Sequence, residues 1–257
     1  MDTNFGCTKC GKCCSDIRVP LTVKEAIDWL SDGNDVEVIC EAVPWPVEPP
    51  TDDLAAAHKR RRSFPTLSGS LPTRVVVILV ARISGDCPNL GADMRCQIYE
   101  RRPLVCRIYP AEINPFVELQ PGTKACPSEA WQTDQPPMIQ RGILVDAGML
   151  ALIQQSRDTD ASDIHTKERL CGLIQVDATA MANEGYVVHS PDRAVLLRAL
   201  VQANNQPDPL TPRTSWRFIS NQRSTVDTLA SVGALTSLVG ERQELPFQYL
   251  GFRAAST

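Results

Sequence analysis

The segment Cys7-Thr-Lys-Cys10-Gly-Lys-Cys13-Cys14 places four cysteines within eight residues near the start of the chain. Disulfides within this segment are disfavoured, because such short loops do not fit disulfide geometry. The same spacing suits a soft metal, since a tight C-x2-C turn directs two sulfur atoms to one point. Four more cysteines follow at Cys87, Cys96, Cys106 and Cys126. We therefore expect the N-terminal half of the chain to be built around metal.

The spacing leaves two kinds of metal site open. Cys7, Cys10 and Cys13 match the first three ligands of a bacterial-ferredoxin run, and either Cys87-Pro88 or Cys126-Pro127 is able to supply a fourth. Zinc is the alternative, because C-x2-C knuckles also bind zinc. We expect an iron–sulfur cluster, with zinc as the competing cofactor.

The number of metal centres also stays open. Neighbouring side chains in extended backbone point to opposite sides, so we expect Cys13 and Cys14 not to serve one metal in the same way. Eight thiols suffice for two four-ligand sites, or for one site with spare reactive cysteines. The remaining two cysteines, Cys40 and Cys171, follow apolar residues and are expected to be small buried hydrophobes.

Composition excludes several classes of partner. The 257 residues carry a net charge of −4 and only 5% aromatic residues, which argues against nucleic-acid binding. The longest apolar run, Val75 to Ala81, is too short to span a bilayer. Residues 1–10 lack the apolar stretch of a secretory signal. We expect a cytoplasmic protein, where thiols stay reduced, with neither nucleic acid nor membrane as partner.

The N-terminal half is predicted to hold short elements separated by loops. Thr22-Val-Lys-Glu25 has the form of a capping box and predicts a helix over residues 23–31. Residues 37–43 are predicted to form a second short helix, and residues 44–53, with four prolines, a loop. The β-branched run Val75 to Ile83 predicts a buried strand.

The C-terminal half is predicted to be mainly helical. Amphipathic patterns predict helices over residues 139–155, 165–182, 191–203 and 221–238, with a linker at 204–214 and a short strand at 246–252. The predicted fold class is α+β, with a loop-rich metal-binding domain at residues 1–137 and a helical region of unknown role at 138–257.

A second cysteine-bearing string completes a recognisable pattern. It reads Cys96-Gln-Ile-Tyr-Glu-Arg-Arg-Pro103-Leu-Val-Cys106-Arg-Ile-Tyr-Pro110. With the N-terminal cysteine segment and Cys87-Pro-Asn-Leu90, it resembles the YkgJ-type CxxCxxCC cysteine-cluster family of zinc- or iron-chelating domains, over about residues 5–127. The resemblance implies a set of metal ligands that comprises Cys7, Cys10, Cys13, Cys14, Cys87, Cys96 and Cys106, with Cys126 as an eighth.

Residues between these cysteines are expected to tune the site. Arg102 and Arg107 would place positive charge beside the thiolates, with Glu100 as a pairing partner, and Tyr99 and Tyr109 would exclude water.

Three functions compete on this sequence. The first is an iron–sulfur protein with a redox or accessory role and a redox partner. The second is a zinc-stabilised module whose helical half engages a protein partner. The third is a protein-modifying enzyme, because flagellin lysine N-methylases carry a related cysteine-cluster domain. An enzyme is not indicated by any motif, since no P-loop, G-x-G-x-x-G, H-E-x-x-H or G-x-S-x-G is present.

Overall fold

The computed structural model describes residues 2–205, 215–240 and 246–255. The chain divides into two compact units, each formed from two segments. The first unit, here called the cysteine unit, is Met1–Leu21 with Arg82–Thr159, and the second, the sheet unit, is Thr22–Ala81 with Asp160–Thr257. Helices and strands occur together, which confirms the α+β class. The domain division at residue 137 stays a prediction.

The helices and strands are numbered in chain order. The strands are β1 (Thr3–Asn4), β2 (Arg18–Leu21), β3 (Val36–Pro44), β4 (Phe64–Ser68), β5 (Leu71–Arg82), β6 (Pro137–Gln140), β7 (Ile143–Leu144), β8 (Ala178–Met181), β9 (Gly185–His189), β10 (Arg217–Ser220), β11 (Leu235–Leu238) and β12 (Gln248–Gly251). The α-helices are α1 (Val23–Ser31), α2 (Leu54–Arg61), α3 (Leu104–Ile108), α4 (Ala147–Ser162), α5 (Ile164–Leu173), α6 (Arg193–Asn205) and α7 (Arg223–Ser231). Short 3-10 helices cover Tyr99–Arg101, Pro121–Thr123 and Ser128–Trp131. Among the described helices, none combines the length and apolarity that a bilayer crossing requires.

The cysteine unit contains little regular structure. Between β5 and β6 it has only the five-residue helix α3 and the three 3-10 helices. Strand β6 pairs with β1 on one side and β7 on the other, both antiparallel. A small apolar cluster forms around Leu104 and Ile108 of α3 and Ile153 of α4. This cluster fixes α3, the helix that carries Cys106.

The sheet unit is organised around a mixed sheet. Strand order runs β11-β10-β8-β3-β5, with β4 added on β5, β9 on β3 and β12 on β9. β10 is parallel to both β11 and β8, and β3 is parallel to β8 but antiparallel to β5. In the β3–β5 register Val38 faces Leu79 and Cys40 faces Val77, and all four residues are buried. The predicted strand over Val75 to Ile83 is confirmed as β5.

The prediction of a helix over residues 37–43 is wrong, because this segment forms strand β3. Val36, Val38, Ile39 and Val43 are β-branched and favour a pleated surface. Pairing with β5 then satisfies the backbone groups along one edge of β3 over its whole length, and β8 and β9 pair with its other edge.

The prediction that the C-terminal half is mainly helical is not confirmed, because strands alternate with helices there. α6 confirms the helix predicted at 191–203, whereas the other predicted helices include residues of β6, β7, β8 and β11. β12 confirms the short strand predicted at 246–252. The predicted linker at 204–214 lies outside the described residues except for its first two positions, which belong to α6.

The capping box at the start of α1 is confirmed, and its contribution to the free energy of unfolding is testable. Thr22 Oγ1 accepts a hydrogen bond from the Glu25 backbone N–H (3.2 Å), and Glu25 Oε2 accepts one from the Thr22 N–H (2.9 Å). Replacing Thr22 by Ala is expected to lower the free energy of unfolding by about 1 kcal/mol, because a helical N–H loses its partner. Urea denaturation measures this, with Thr22→Ser as the control that keeps the hydroxyl. Equal stability of Thr22→Ala and the unsubstituted chain would contradict the prediction.

Candidate metal centre

The N-terminal cysteine segment folds as a turn. Gly11 has a φ of +71°, and the Cys14 N–H donates to the Gly11 carbonyl oxygen (2.9 Å). The turn places Cys13 Sγ and Cys14 Sγ 4.0 Å apart. The expectation that these two side chains point to opposite sides is therefore wrong, because it assumed extended backbone.

Two backbone pairings bring Cys87 and Cys96 to this turn. The Cys87 N–H donates to the Cys14 carbonyl oxygen (2.8 Å), next to a bridge between Ser15 and Asp86. The chain then reverses, and Leu90 forms an antiparallel bridge with Cys96. Cys14, Cys87 and Cys96 thus become neighbours although more than seventy residues separate the first two.

Cys126 is brought to the N-terminal segment by a different contact. The Gly6 N–H donates to the Ala130 carbonyl oxygen (2.9 Å), and the Phe5 N–H donates to the Pro136 carbonyl oxygen (2.9 Å). The ring of Phe5 lies 4.9 Å from the ring of Trp131, centroid to centroid. Residues 126–136 therefore lie against the residues that lead into Cys7.

These contacts create one cavity lined by thiols. All predicted ligands except Cys87 line it, and its volume is about 50 Å³. In the described part of the chain, no set of three or more His, Cys, Asp or Glu side chains forms a ready-made metal site. The fit to a metal therefore rests on the donors: thiols are the ligands that zinc and iron–sulfur clusters take in proteins.

Aromatic side chains wall the cavity, as predicted for Tyr99 and Tyr109. Tyr109 Oη accepts a hydrogen bond from the Ala125 N–H (2.7 Å). Burial is the main cause that raises the pKa of Tyr109 to about 12, so this phenol stays neutral. The wall adds no negative charge to the thiol site.

Two cationic side chains at the cavity, Arg102 and Lys9, lie over the ring of Tyr99. The Arg102 guanidinium carbon lies 3.7 Å from the centroid of the Tyr99 ring, and Arg102 Nε donates to the Tyr99 carbonyl oxygen (2.8 Å). Lys9 Nζ lies 4.6 Å from the same ring centroid. Arg102 and Lys9 both line the cavity, whereas Arg107 is exposed and does not. Lys9 is a residue of the site that the sequence did not predict, although its position inside the first C-x2-C knuckle was a usable signal.

The thiols differ in their protonation. The pKa of Cys13 is lowered to about 6, chiefly because Cys14 hydrogen-bonds to its sulfur, with a smaller contribution from the Arg102 charge. The same hydrogen bond, with burial, raises the pKa of Cys14 far above its usual value. Burial raises the pKa of Cys106 to about 12 and that of Cys126 to about 11. Within the Cys13–Cys14 pair, Cys13 therefore loses its proton more readily than Cys14, and burial keeps Cys106 and Cys126 protonated at neutral pH.

Cys40 and Cys171 lie outside this site. They are 0% and 2% exposed in the sheet unit, on β3 and α5, and neither lines the cavity. Both are confirmed as small buried residues.

Gly11 is a residue at which even a small substitution should disturb the site. A Cβ added at Gly11 would lie 2.7 Å from the carbonyl oxygen of Met94, and the φ of +71° is unfavourable for other residues. Gly11→Ala is expected to lower metal affinity about five- to thirtyfold, because a strain of about 1–2 kcal/mol falls on the ligand turn. Competition with a chromophoric chelator measures the affinity.

Gly122→Ala is the matched control for this substitution, because a Cβ at Gly122 meets nothing within 4 Å. An unchanged affinity in Gly11→Ala would show that the turn is not part of the binding site.

Comparison with known proteins agrees with this geometry. Residues 6–127 match the model of the CxxCxxCC family, described as "Putative zinc- or iron-chelating domain". No curated protein and no solved structure matched the chain. The matched span contains all eight cysteines of the candidate centre. Residues 6–127, slightly less than half of the chain, are therefore similar to the domain that defines the CxxCxxCC family.

Proposed function

We propose that the cysteine unit holds an iron–sulfur cluster and that the protein has a redox or accessory role in the cytoplasm. The observation that carries this proposal is the convergence of cysteines from four separate chain segments on one cavity walled by aromatic rings. The proposed ligands are Cys7, Cys10, Cys13, Cys14, Cys87, Cys96, Cys106 and Cys126. The proposed partner is a redox protein or another protein, and neither nucleic acid nor membrane.

The side chains around the thiols suit an anionic cluster. Arg102 and Lys9 supply positive charge that offsets the charge of several thiolates. Tyr99, Tyr109 and Phe5 cover the cavity with rings and limit access of water. When bound, an iron–sulfur cluster supplies one-electron transfer, and nearby charge and solvent access set its potential.

Zinc is the second candidate, and the small amount of regular secondary structure in the cysteine unit favours it. A unit with one short α-helix between β5 and β6 gains much from a structural metal, because metal binding then stabilises the fold directly. In that case the protein is a zinc-stabilised interaction module. An enzyme related to flagellin lysine N-methylase is a third possibility, and it requires an S-adenosylmethionine site.

Metal and acid-labile sulfide analysis of protein purified without oxygen tests the proposal. We expect iron, sulfide and broad visible absorbance that disappears on exposure to air. Cys7→Ser should lose the colour, whereas Cys171→Ala, which removes a thiol outside the cavity, should keep it. Stoichiometric zinc without sulfide would overturn the iron–sulfur proposal and favour the interaction module.

A further inference from the structure

The first knuckle, Cys7-Thr-Lys-Cys10, contains a backbone conformation that needs support. Lys9 has a φ of +55°, in the left-handed region that residues with a side chain rarely adopt. Such a conformation persists only where the surrounding contacts hold it. The contacts of the knuckle therefore decide whether its two cysteines keep the arrangement that binds metal.

Backbone hydrogen bonds hold the chain on both sides of this knuckle. Phe5 and Gly6 donate to the segment that follows Cys126, and the Cys14 N–H donates to the Gly11 carbonyl oxygen. Within the residues that the structure describes, residues 7–10 themselves form no backbone-to-backbone hydrogen bond. Support for the knuckle has to come from its side chains.

Lys9 supplies a side-chain contact of this kind. Its Nζ lies 4.6 Å from the centroid of the Tyr99 ring, a distance at which the face of an aromatic ring attracts a cation. Lys9 and Tyr99 are far apart in the sequence, so the contact joins the knuckle to a separate segment of the cysteine unit.

The Tyr99 ring is itself fixed by Arg102. The Arg102 guanidinium carbon lies 3.7 Å from the ring centroid, and Arg102 Nε donates to the Tyr99 carbonyl oxygen (2.8 Å). Arg102 stands just before helix α3, whose Leu104 and Ile108 belong to the apolar cluster of the unit. The ring thus connects a knuckle without backbone hydrogen bonds of its own to a helix that is packed in a core.

We propose that Tyr99 is a positioning residue of the metal site. Its ring, held by Arg102, contacts Lys9 and so keeps the first knuckle in the conformation that binds metal. This inference rests on the metal binding proposed above, but not on which metal is bound. Charge balance alone is a different role for Lys9, and it requires no ring beneath the cation.

Release of Zn²⁺ from the reduced, zinc-loaded full chain to a chromophoric chelator tests this role. Tyr99→Leu should speed the release about two- to fivefold, because the contact between Lys9 and the ring is lost. Tyr99→Phe keeps the ring and should release zinc at the rate of the unsubstituted chain. Equal rates in Tyr99→Leu and the unsubstituted chain, or in Tyr99→Leu and Tyr99→Phe, would overturn the proposal.

Substitutions at Lys9 separate positioning from charge balance. Lys9→Met should speed the release by a factor similar to that of Tyr99→Leu, whereas Lys9→Arg keeps a cation and should not. If the ring acts through Lys9, the double variant with Tyr99→Leu and Lys9→Met should release zinc no faster than the faster single variant. Two factors that multiply in the double variant would refute the proposal and leave charge balance as the role of Lys9.

The Lys9 variants also decide the case in which Tyr99→Leu does not fold, because Lys9 is exposed. Equal release from Lys9→Met and Lys9→Arg would then reject the proposed contact. Failure of the unsubstituted chain to retain zinc would overturn the metal binding and this inference with it. Zinc in place of iron in the native protein rejects the iron–sulfur proposal alone and leaves the role of Tyr99 standing.

Discussion

Removal of metal is expected to unfold the cysteine unit, Met1–Leu21 with Arg82–Thr159, while the sheet unit keeps its structure. Between β5 and β6 the cysteine unit has one short α-helix and three 3-10 helices, and its apolar cluster around Leu104, Ile108 and Ile153 is small. Structural zinc contributes about 10–16 kcal/mol in zinc-finger peptides near neutral pH, and a loss of that order exceeds the stability of most domains. None of the eight proposed ligands lies in the sheet unit, and the described residues of this unit form an extensive buried core.

Hydrogen exchange read out by mass spectrometry measures this effect. After treatment with a chelator under reducing conditions, peptides from residues 84–136 should lose protection, whereas peptides from β3 and β5 should keep it. Chelator already saturated with metal is the control, and re-addition of metal should restore protection. Unchanged protection in the cysteine unit after complete metal removal would contradict a structural role for the metal.

Metal affinity is expected to fall steeply as pH falls through the neutral range. Burial raises the pKa of Cys106 to about 12 and that of Cys126 to about 11, so both thiols are protonated in the metal-free chain and must release protons to bind metal. Each released proton lowers the affinity about tenfold per unit of pH decrease. The lowered pKa of Cys13, about 6, means that this thiol adds to the slope only below about pH 6.

Competition with a chelator of known proton affinity, at several pH values, measures the slope. We expect at least two protons released per chain at neutral pH and a further proton below about pH 6. Cys126→Ser should reduce the neutral-pH slope by about one proton, whereas Cys171→Ala should not change it. An affinity independent of pH would show that the buried thiols are not ligands.

The secondary structure shows what local sequence determined. The capping box at Thr22 and Glu25 predicts α1, and the β-branched run that starts at Val75 predicts β5, because both patterns act within a few residues. The strand β3 was mistaken for a helix, since its state depends on pairing with β5, which begins 27 residues after β3 ends. Pairing between distant segments overrides a short local pattern.

For the candidate metal centre too, the sequence determined some features and the tertiary structure decided others. The sequence by itself determined the cysteines, their resemblance to the CxxCxxCC family, and the burial of Cys40 and Cys171, because residue type and spacing carry that information. Only the tertiary structure decided that Cys13 and Cys14 lie on one side, since this depends on the turn at Gly11. It also decided which neighbours Cys126 has and that Lys9 faces the cavity. These features arise from backbone contacts between residues far apart in the chain, and no local pattern records such contacts.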